Sequence, residues 1–238
     1  MSLLDAYRPQ TLADIVGQPA VKVLQQFSRQ PHPKCFLLEG PGGVGKTASA
    51  YALATELGCH ADHWFETVYT VCGADLTADA MRHWFGHDSP FRFRAPGGWH
   101  VFVIEELEEM NKTVHGLAKV AFERGVRDFG RLVLVATSNG AGRLSGPLLQ
   151  RFDILAYSGG EFFAQACAER LAEVWAREAP GADLPQGFAD WGWIVDPACP
   201  LCKTFSMRMA MRRMEGWLSV LRVQQEALAG ETALARSA

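Results

Sequence analysis

The stretch Gly40-Pro-Gly-Gly-Val-Gly-Lys46-Thr47 limits what this chain can fold into more than any other. Its glycines let a backbone curl so that several N–H groups converge on one point, and a helix starting there adds positive potential. The flanks match that use. The apolar run Cys35-Phe-Leu-Leu-Glu39 precedes the loop, and a helix-forming run from Ala48 to Leu57 follows it. Strand, glycine loop and helix, with the spacing G-x-x-x-x-G-K-[ST], make a nucleotide phosphate loop. Lys46 is placed to reach the β- and γ-phosphates, and the Thr47 hydroxyl to ligate Mg²⁺. The expected phosphate-contacting set is Gly40, Pro41, Gly42, Gly43, Val44, Gly45, Lys46, Thr47 and Ala48, with ATP and Mg²⁺ as the ligands.

Around this loop, β-rich runs at 35–39, 67–71, 101–105, 132–137 and 153–157 alternate with helical patterns. Such alternation predicts an α/β fold, a five-stranded parallel sheet sandwiched by helices. Val114, Leu117, Ala118, Ala121 and Phe122 form one helical apolar stripe. After Ser158-Gly-Gly160 the strand signals stop and two more helical stripes appear. One runs Phe163, Ala166, Cys167, Leu171, Val174, Trp175, and the other Met207, Ala210, Met211, Met214, Leu218, Leu221. The expected domains are a nucleotide-binding core at 1–159, a small all-α lid at 160–226 and a flexible tail at 227–238. Residues 179–204, rich in Pro, Gly and Trp, match no element.

The formal net charge of −3 supplies no global basic field, so any contact with nucleic acid has to come from local patches. No run reaches the roughly 20 apolar residues that span a bilayer, and the N-terminus lacks a signal-peptide pattern. The six cysteines are scattered and read as reduced thiols, with the cytoplasm as the expected location and no membrane partner. Cys199-Pro-Leu-Cys202 has the spacing of half a zinc site. No second pair stands at a suitable distance, so two ordinary thiols in a turn is the competing reading.

Val101-Phe-Val-Ile-Glu105-Glu106 reads as a buried strand ending in two acids. In phosphate-loop enzymes the first acid helps hold Mg²⁺ and the second polarises the attacking water. Glu105 stands where Asp is usual, and its extra methylene shifts the metal shell.

Further stretches resemble one family, the sliding-clamp loaders of the AAA+ class, and replication factor C small subunits in particular. Tyr7-Arg8-Pro9 through Ile15-Val16-Gly17-Gln18 resembles the N-terminal box that packs around adenine. Glu105 to Lys112 resembles the D-E-A-D-x-M-[ST] stretch, and Arg131 to Asn139 the sensor-1 strand whose Asn feels the γ-phosphate. Pro147-Leu-Leu-Gln-Arg151-Phe resembles the S-R-C motif, and Phe205-Ser-Met-Arg208 resembles sensor 2. The match covers about residues 5 to 220. It departs at Glu105, at Gln150-Arg151-Phe152, and in leaving no room after the lid for a helical collar.

The resemblance implies catalytic roles for Lys46, Glu105, Glu106, Asn139 and Arg151, with Thr47 and Glu105 as the metal ligands. Arg208 is implied at the nucleotide beside Tyr7, Arg8, Pro9, Ile15, Val16, Gly17 and Gln18. Arg151 would complete a neighbour's site, so a homo- or hetero-oligomer through nucleotide-site interfaces is expected. Asn111 and Lys112, at a helix start, and Arg92 and Arg94, set among aromatics, are the candidate DNA contacts. DNA and a sliding clamp or polymerase-associated protein are the implied partners. Two other readings stay open: another AAA+ remodeller, such as a branch-migration helicase or helicase loader, and an ATP-binding scaffold that hydrolyses little.

Overall fold

The computed structural model describes residues 2–59, 61–62, 65–93, 98–185 and 205–237, the last ten and residues 61–62 and 65–66 by their backbone alone. Cys199, Cys202, Arg94 and residues 186–204 of the Pro/Gly/Trp-rich segment lie outside the described residues. The chain divides into two compact units, Pro9–Ser158 and the combination of Met1–Arg8 with Gly159–Ala238.

Pro9–Ser158 is the α/β unit. Its strands are β1 (Lys34–Glu39), β2 (Val68–Cys72), β3 (His100–Glu105), β4 (Leu132–Ser138) and β5 (Asp153–Ala156). All pair in parallel in the order β2-β3-β4-β1-β5. Every predicted strand is present, and each carboxyl end reaches the same edge of the sheet. Open parallel sheets bind ligands at that edge. The registers Glu39↔Ser138 and Cys72↔Glu105 bring the ends of neighbouring strands side by side there.

The continuous apolar runs of β3 and β4 follow from burial on both faces. Over one face, Leu37, Phe102, Ile104 and Leu134 pack with Phe122 of α5 (His115–Asp128) and Leu148 of α6 (Gly146–Leu149). Over the other lie α2 (Val21–Arg29) and α3 (Lys46–Glu56), with the Phe27 and Phe36 rings edge-on at 4.9 Å.

The aromatics between Met81 and Phe93 belong to this core. Met81, in α4 (Ala78–Phe85), and Phe91 are buried. The Phe91 ring lies 5.2 Å from Tyr69 and 5.5 Å from Phe102. Phe93 is the exception, 73% exposed. The interleaving of basic and aromatic residues here is therefore chiefly a helix and turn burying one side.

The second unit contains α1 (Leu3–Ala6), α7 (Glu161–Glu178) and α8 (Met207–Ser237). Phe163, Cys167, Leu171 and Trp175 of α7 are buried, as are Ala210, Met211, Met214 and Leu218 of α8. Two expectations are corrected here. The first eight residues group with the helices, because the Leu3 N–H donates to Glu215 (3.2 Å) and the Tyr7 hydroxyl to Glu178 (2.8 Å). The expected tail from 227 continues α8 to Ser237. Its Ala, Leu, Glu and Arg are strong helix formers that outweigh Gly230. Among the described residues no helix is long and apolar enough to cross a membrane.

Candidate nucleotide-binding site

The phosphate loop leaves β1 at Glu39 and enters α3 at Lys46. Gly40 has to be glycine because the Tyr157 backbone passes so close that an added Cβ would sit 2.9 Å from the Tyr157 carbonyl carbon. Its N–H donates to Ser138 O (3.1 Å), tying the loop to the end of β4. Gly45 caps α3 in a left-handed conformation (φ +97°), which turns the first free N–H groups of the helix toward the loop. Lys46 is buried. Its ammonium donates to Gly40 O and Pro41 O, both at 2.6 Å, and to Asn139 Oδ1 at 3.1 Å. Thr47 and Ala48 are half-buried in the first turn of α3, while Gly42 is exposed and Val44 buried.

Glu105 ends β3, half-buried, and Glu106 follows it exposed. Among the described residues Glu106 alone, apart from glycines, has a positive φ (52°). A left-handed Glu is a strained conformation that persists only when its surroundings over-determine it. Two neighbours do so. The Glu106 N–H donates to Thr137 Oγ1 (3.2 Å), and the backbone of Gly73 lies so near that a Cβ there would sit 3.0 Å from the Glu106 carbonyl carbon. Asn139 is exposed just past β4, with its side chain on Lys46 and its N–H on Glu108 Oε1 (2.8 Å). Lys46, Glu105, Glu106 and Asn139 thus share one edge of the sheet. Sequence reasoning did not find Thr137, Gly73, Glu108 or Glu39 as parts of this edge. A local strand–turn pattern gives no sign of which distant backbone each one meets.

The N-terminal box splits between the units. Pro9 onward lies in the α/β unit, where Asp14 accepts from Gln10 and Thr11 and closes a capped turn over Leu12–Asp14. Ile15 is the side chain that a Cβ on Gly45 would meet, at 3.7 Å, so it flanks the loop. Val16 and Gly17 follow, half-buried. Gln18 is buried and its amide is committed to backbone: Nε2 donates to Val44 O (3.2 Å) and Ser158 O (2.8 Å), and Oε1 accepts from Ser158 N–H (3.1 Å). Gln18 therefore braces the loop. Tyr7 and Arg8 lie in the helical unit, and partial burial together with the Glu178 carboxylate raises the Tyr7 phenol above its usual range.

Arg208 is exposed in the first turn of α8, just after the buried Ser206. Arg151 follows α6, with Nε 3.0 Å from Glu123 Oε2 of α5 but not aligned as a hydrogen bond. Asn111 is a cap, its Oδ1 accepting from Thr113 N–H (3.0 Å), and Lys112 beside it is exposed. The Arg92 guanidinium lies 5.3 Å from the centre of the Phe129 ring, with Nε 3.4 Å from Gly86 O, so it is folded onto its own unit. Among the described residues no group of three or more His, Cys, Asp or Glu is arranged to hold a metal by itself. Cys35, Cys59, Cys72 and Cys167 are free thiols, and burial pushes Cys35 up to about 12 and Cys59 up to about 11.

Comparison with known proteins gives the chain a family. Over 159 residues the chain is 31% identical to replication factor C subunit 4 of Saccharomyces cerevisiae, covering 65% of this chain and 47% of that protein. It is 27% identical over 178 residues to a replication factor C small subunit of Archaeoglobus fulgidus, covering 74% of this chain and 53% of that one. The chain thus spans about half the length of these relatives. A RuvB structure from Thermotoga maritima shares the fold, with a TM-score of 0.65 at 23% identity over 91% of this chain and 67% of that one. Residues 36–159, more than half of the chain, match one family, and the chain belongs to it: the ATPase family associated with various cellular activities (AAA), in a form similar to replication factor C.

Proposed function

We propose that this chain binds ATP with Mg²⁺ and hydrolyses it as one subunit of a cytoplasmic, oligomeric, clamp-loader-like assembly acting on DNA. The observation that carries the reading is the 3.1 Å contact between Lys46 Nζ and Asn139 Oδ1. It joins the phosphate loop to the strand end expected to sense a γ-phosphate. The similarity to replication factor C subunits supports the choice of machine.

In this reading the loop N–H groups and Lys46 bind the phosphates, with Tyr7, Arg8, Pro9, Ile15, Val16 and Gly17 around the base. Thr47 and Glu105 are hard oxygen donors, suited to an ion that takes its remaining ligands from phosphate and water. Mg²⁺, when bound, neutralises charge on the phosphates. Glu106 orients the attacking water, and its pinned turn aims the carboxylate. Asn139 and Arg208 sense the γ-phosphate. Arg151 serves a neighbouring subunit, where an arginine supplied in trans is worth about 10³–10⁵ in rate in related enzymes. Lys112 and Asn111 meet DNA phosphates, and a sliding clamp or polymerase-associated protein is the remodelled partner.

The test is steady-state ATP turnover with and without primed DNA, using Lys46→Ala as the blank. Stimulation by primed DNA is the expected result. Turnover indifferent to DNA would redirect the reading to a protein remodeller. Tight ATP binding with no turnover, even at concentrations where the chain self-associates or after candidate partner subunits are added, would replace it with an ATP-binding scaffold.

A further inference from the structure

Three consecutive peptide N–H groups follow the buried strand β4, and a side-chain oxygen accepts from each. Asn139 donates to Glu108 Oε1 (2.8 Å), Gly140 to Ser138 Oγ (3.1 Å) and Ala141 to Glu39 Oε1 (2.9 Å). Two of the three acceptors are carboxylates from distant parts of the chain. Glu39 is the last residue of β1, directly before the phosphate loop. Glu108 lies in the short turn Leu107–Glu109, two residues after Glu106.

Satisfying the Asn139 N–H does not by itself call for an acid, because Asn139 is exposed and water would serve, whereas the N–H of the buried Ala141 needs an acceptor from the chain. The arrangement is also costly. Glu108 is 9% exposed, and its second oxygen, Oε2, is buried with no hydrogen-bond partner. What the acids supply is position. Bonds from N–H to carboxylate are short and strong, and together they fix the backbone from which the Asn139 side chain reaches Lys46.

We propose that Glu39 and Glu108 are positioning residues for Asn139, one linking it to the phosphate loop and the other to the acidic turn. The site then distinguishes ATP from ADP only while a side-chain oxygen at each of the two positions holds the loop. This rests on the ATPase reading above.

The test uses the full chain and fluorescent ATP and ADP analogues, titrated into Glu39→Ala, Glu108→Ala, Asn139→Ala, the two glutamate-to-glutamine variants and the double variants with Asn139→Ala. Each alanine variant is expected to lower the preference for ATP over ADP by about tenfold, with ADP affinity nearly unchanged. The glutamine variants, whose amide oxygen still accepts, retain the preference. Adding either glutamate-to-alanine change to Asn139→Ala has no further effect. Multiplying effects, or alanine variants that keep the full preference, would overturn the proposal. Should Glu108→Ala not fold, the half-buried Glu39 carries the test.

If the wild-type chain binds neither analogue, the ATPase reading fails. The clamp is then judged in the ligand-free chain by amide hydrogen exchange. Faster exchange at Asn139 in Glu108→Ala and at Ala141 in Glu39→Ala supports it, and unchanged exchange overturns it.

Discussion

The two units hold their candidate functional groups in different ways. In the α/β unit Lys46, Glu106 and Asn139 are each fixed by bonds to a different strand end or turn, and the surrounding core is closed on both faces. In the helical unit Arg208 stands exposed in the first turn of a helix, and the Tyr7 side chain is tied to α7 by its hydroxyl's bond to Glu178. The contrast separates groups whose positions are set by a rigid sheet edge from groups whose positions are set by a helix surface. Chemistry that tolerates little displacement belongs on the first, since about 1 Å of misplacement can cost about 100-fold in rate.

Substitutions can break that contrast. The largest expected effect is Phe91→Ala. Removing a ring packed on Tyr69 and Phe102 should cost about 3–5 kcal/mol in a denaturant melt, whereas Phe93→Ala, at an exposed ring, should cost almost nothing. Equal costs would show that the 81–93 segment is not core. Lys46→Ala should lower turnover at least about 100-fold while the melting midpoint stays close to wild type.

Next comes Gly73→Ala, whose methyl would collide with the backbone of Glu106 and Leu107. Turnover should fall about tenfold and stability by about 1–3 kcal/mol. Unchanged turnover would mean that the strained turn does not aim Glu106. Arg208→Ala should weaken ATP binding only about fivefold, as expected for one exposed charge, with no change in stability. A loss as large as that of Lys46→Ala would erase the distinction between the units. The smallest effect is expected from Glu123→Gln. It releases Arg151 from a partly exposed ion pair and should shift stability by less than about 1 kcal/mol. A rise in ATP turnover at concentrations where the chain self-associates would show that Glu123 restrains Arg151.

Much of the fold was legible from contiguous residues. The five apolar runs and the stripes of α5, α7 and α8 announce themselves within windows of a few turns, because burial imposes a period on neighbouring positions. The same holds for Gly40 to Thr47. The remaining stretches lacked such a local rule. Met81 to Phe93 offered rings and cations in alternation, and only packing decides that Phe91 turns inward while Arg92 lies along Phe129. The C-terminal residues looked small and polar, yet their helix propensity carried α8 onward. The first eight residues read as part of the core because they adjoin it in sequence, but Leu3 and Tyr7 bond to α8 and α7.

By itself, then, the sequence determined a phosphate loop on a parallel sheet and a helical unit after it, and put forward Lys46, Thr47, Glu105 and Asn139 as the candidate nucleotide site. Tertiary structure alone decided the left-handed turn of Glu106 against Gly73, the commitment of Gln18 to Val44 and Ser158, and the grip of Glu39 and Glu108 on the loop after β4. The physical reason is separation along the chain. Glu108 and Asn139 are 31 positions apart and Glu39 and Ala141 are 102 apart. Glu39 meets Ala141 because β1, first in the chain, pairs with β4 in the sheet, and Glu108 meets Asn139 because β3 pairs with β4 on its other side.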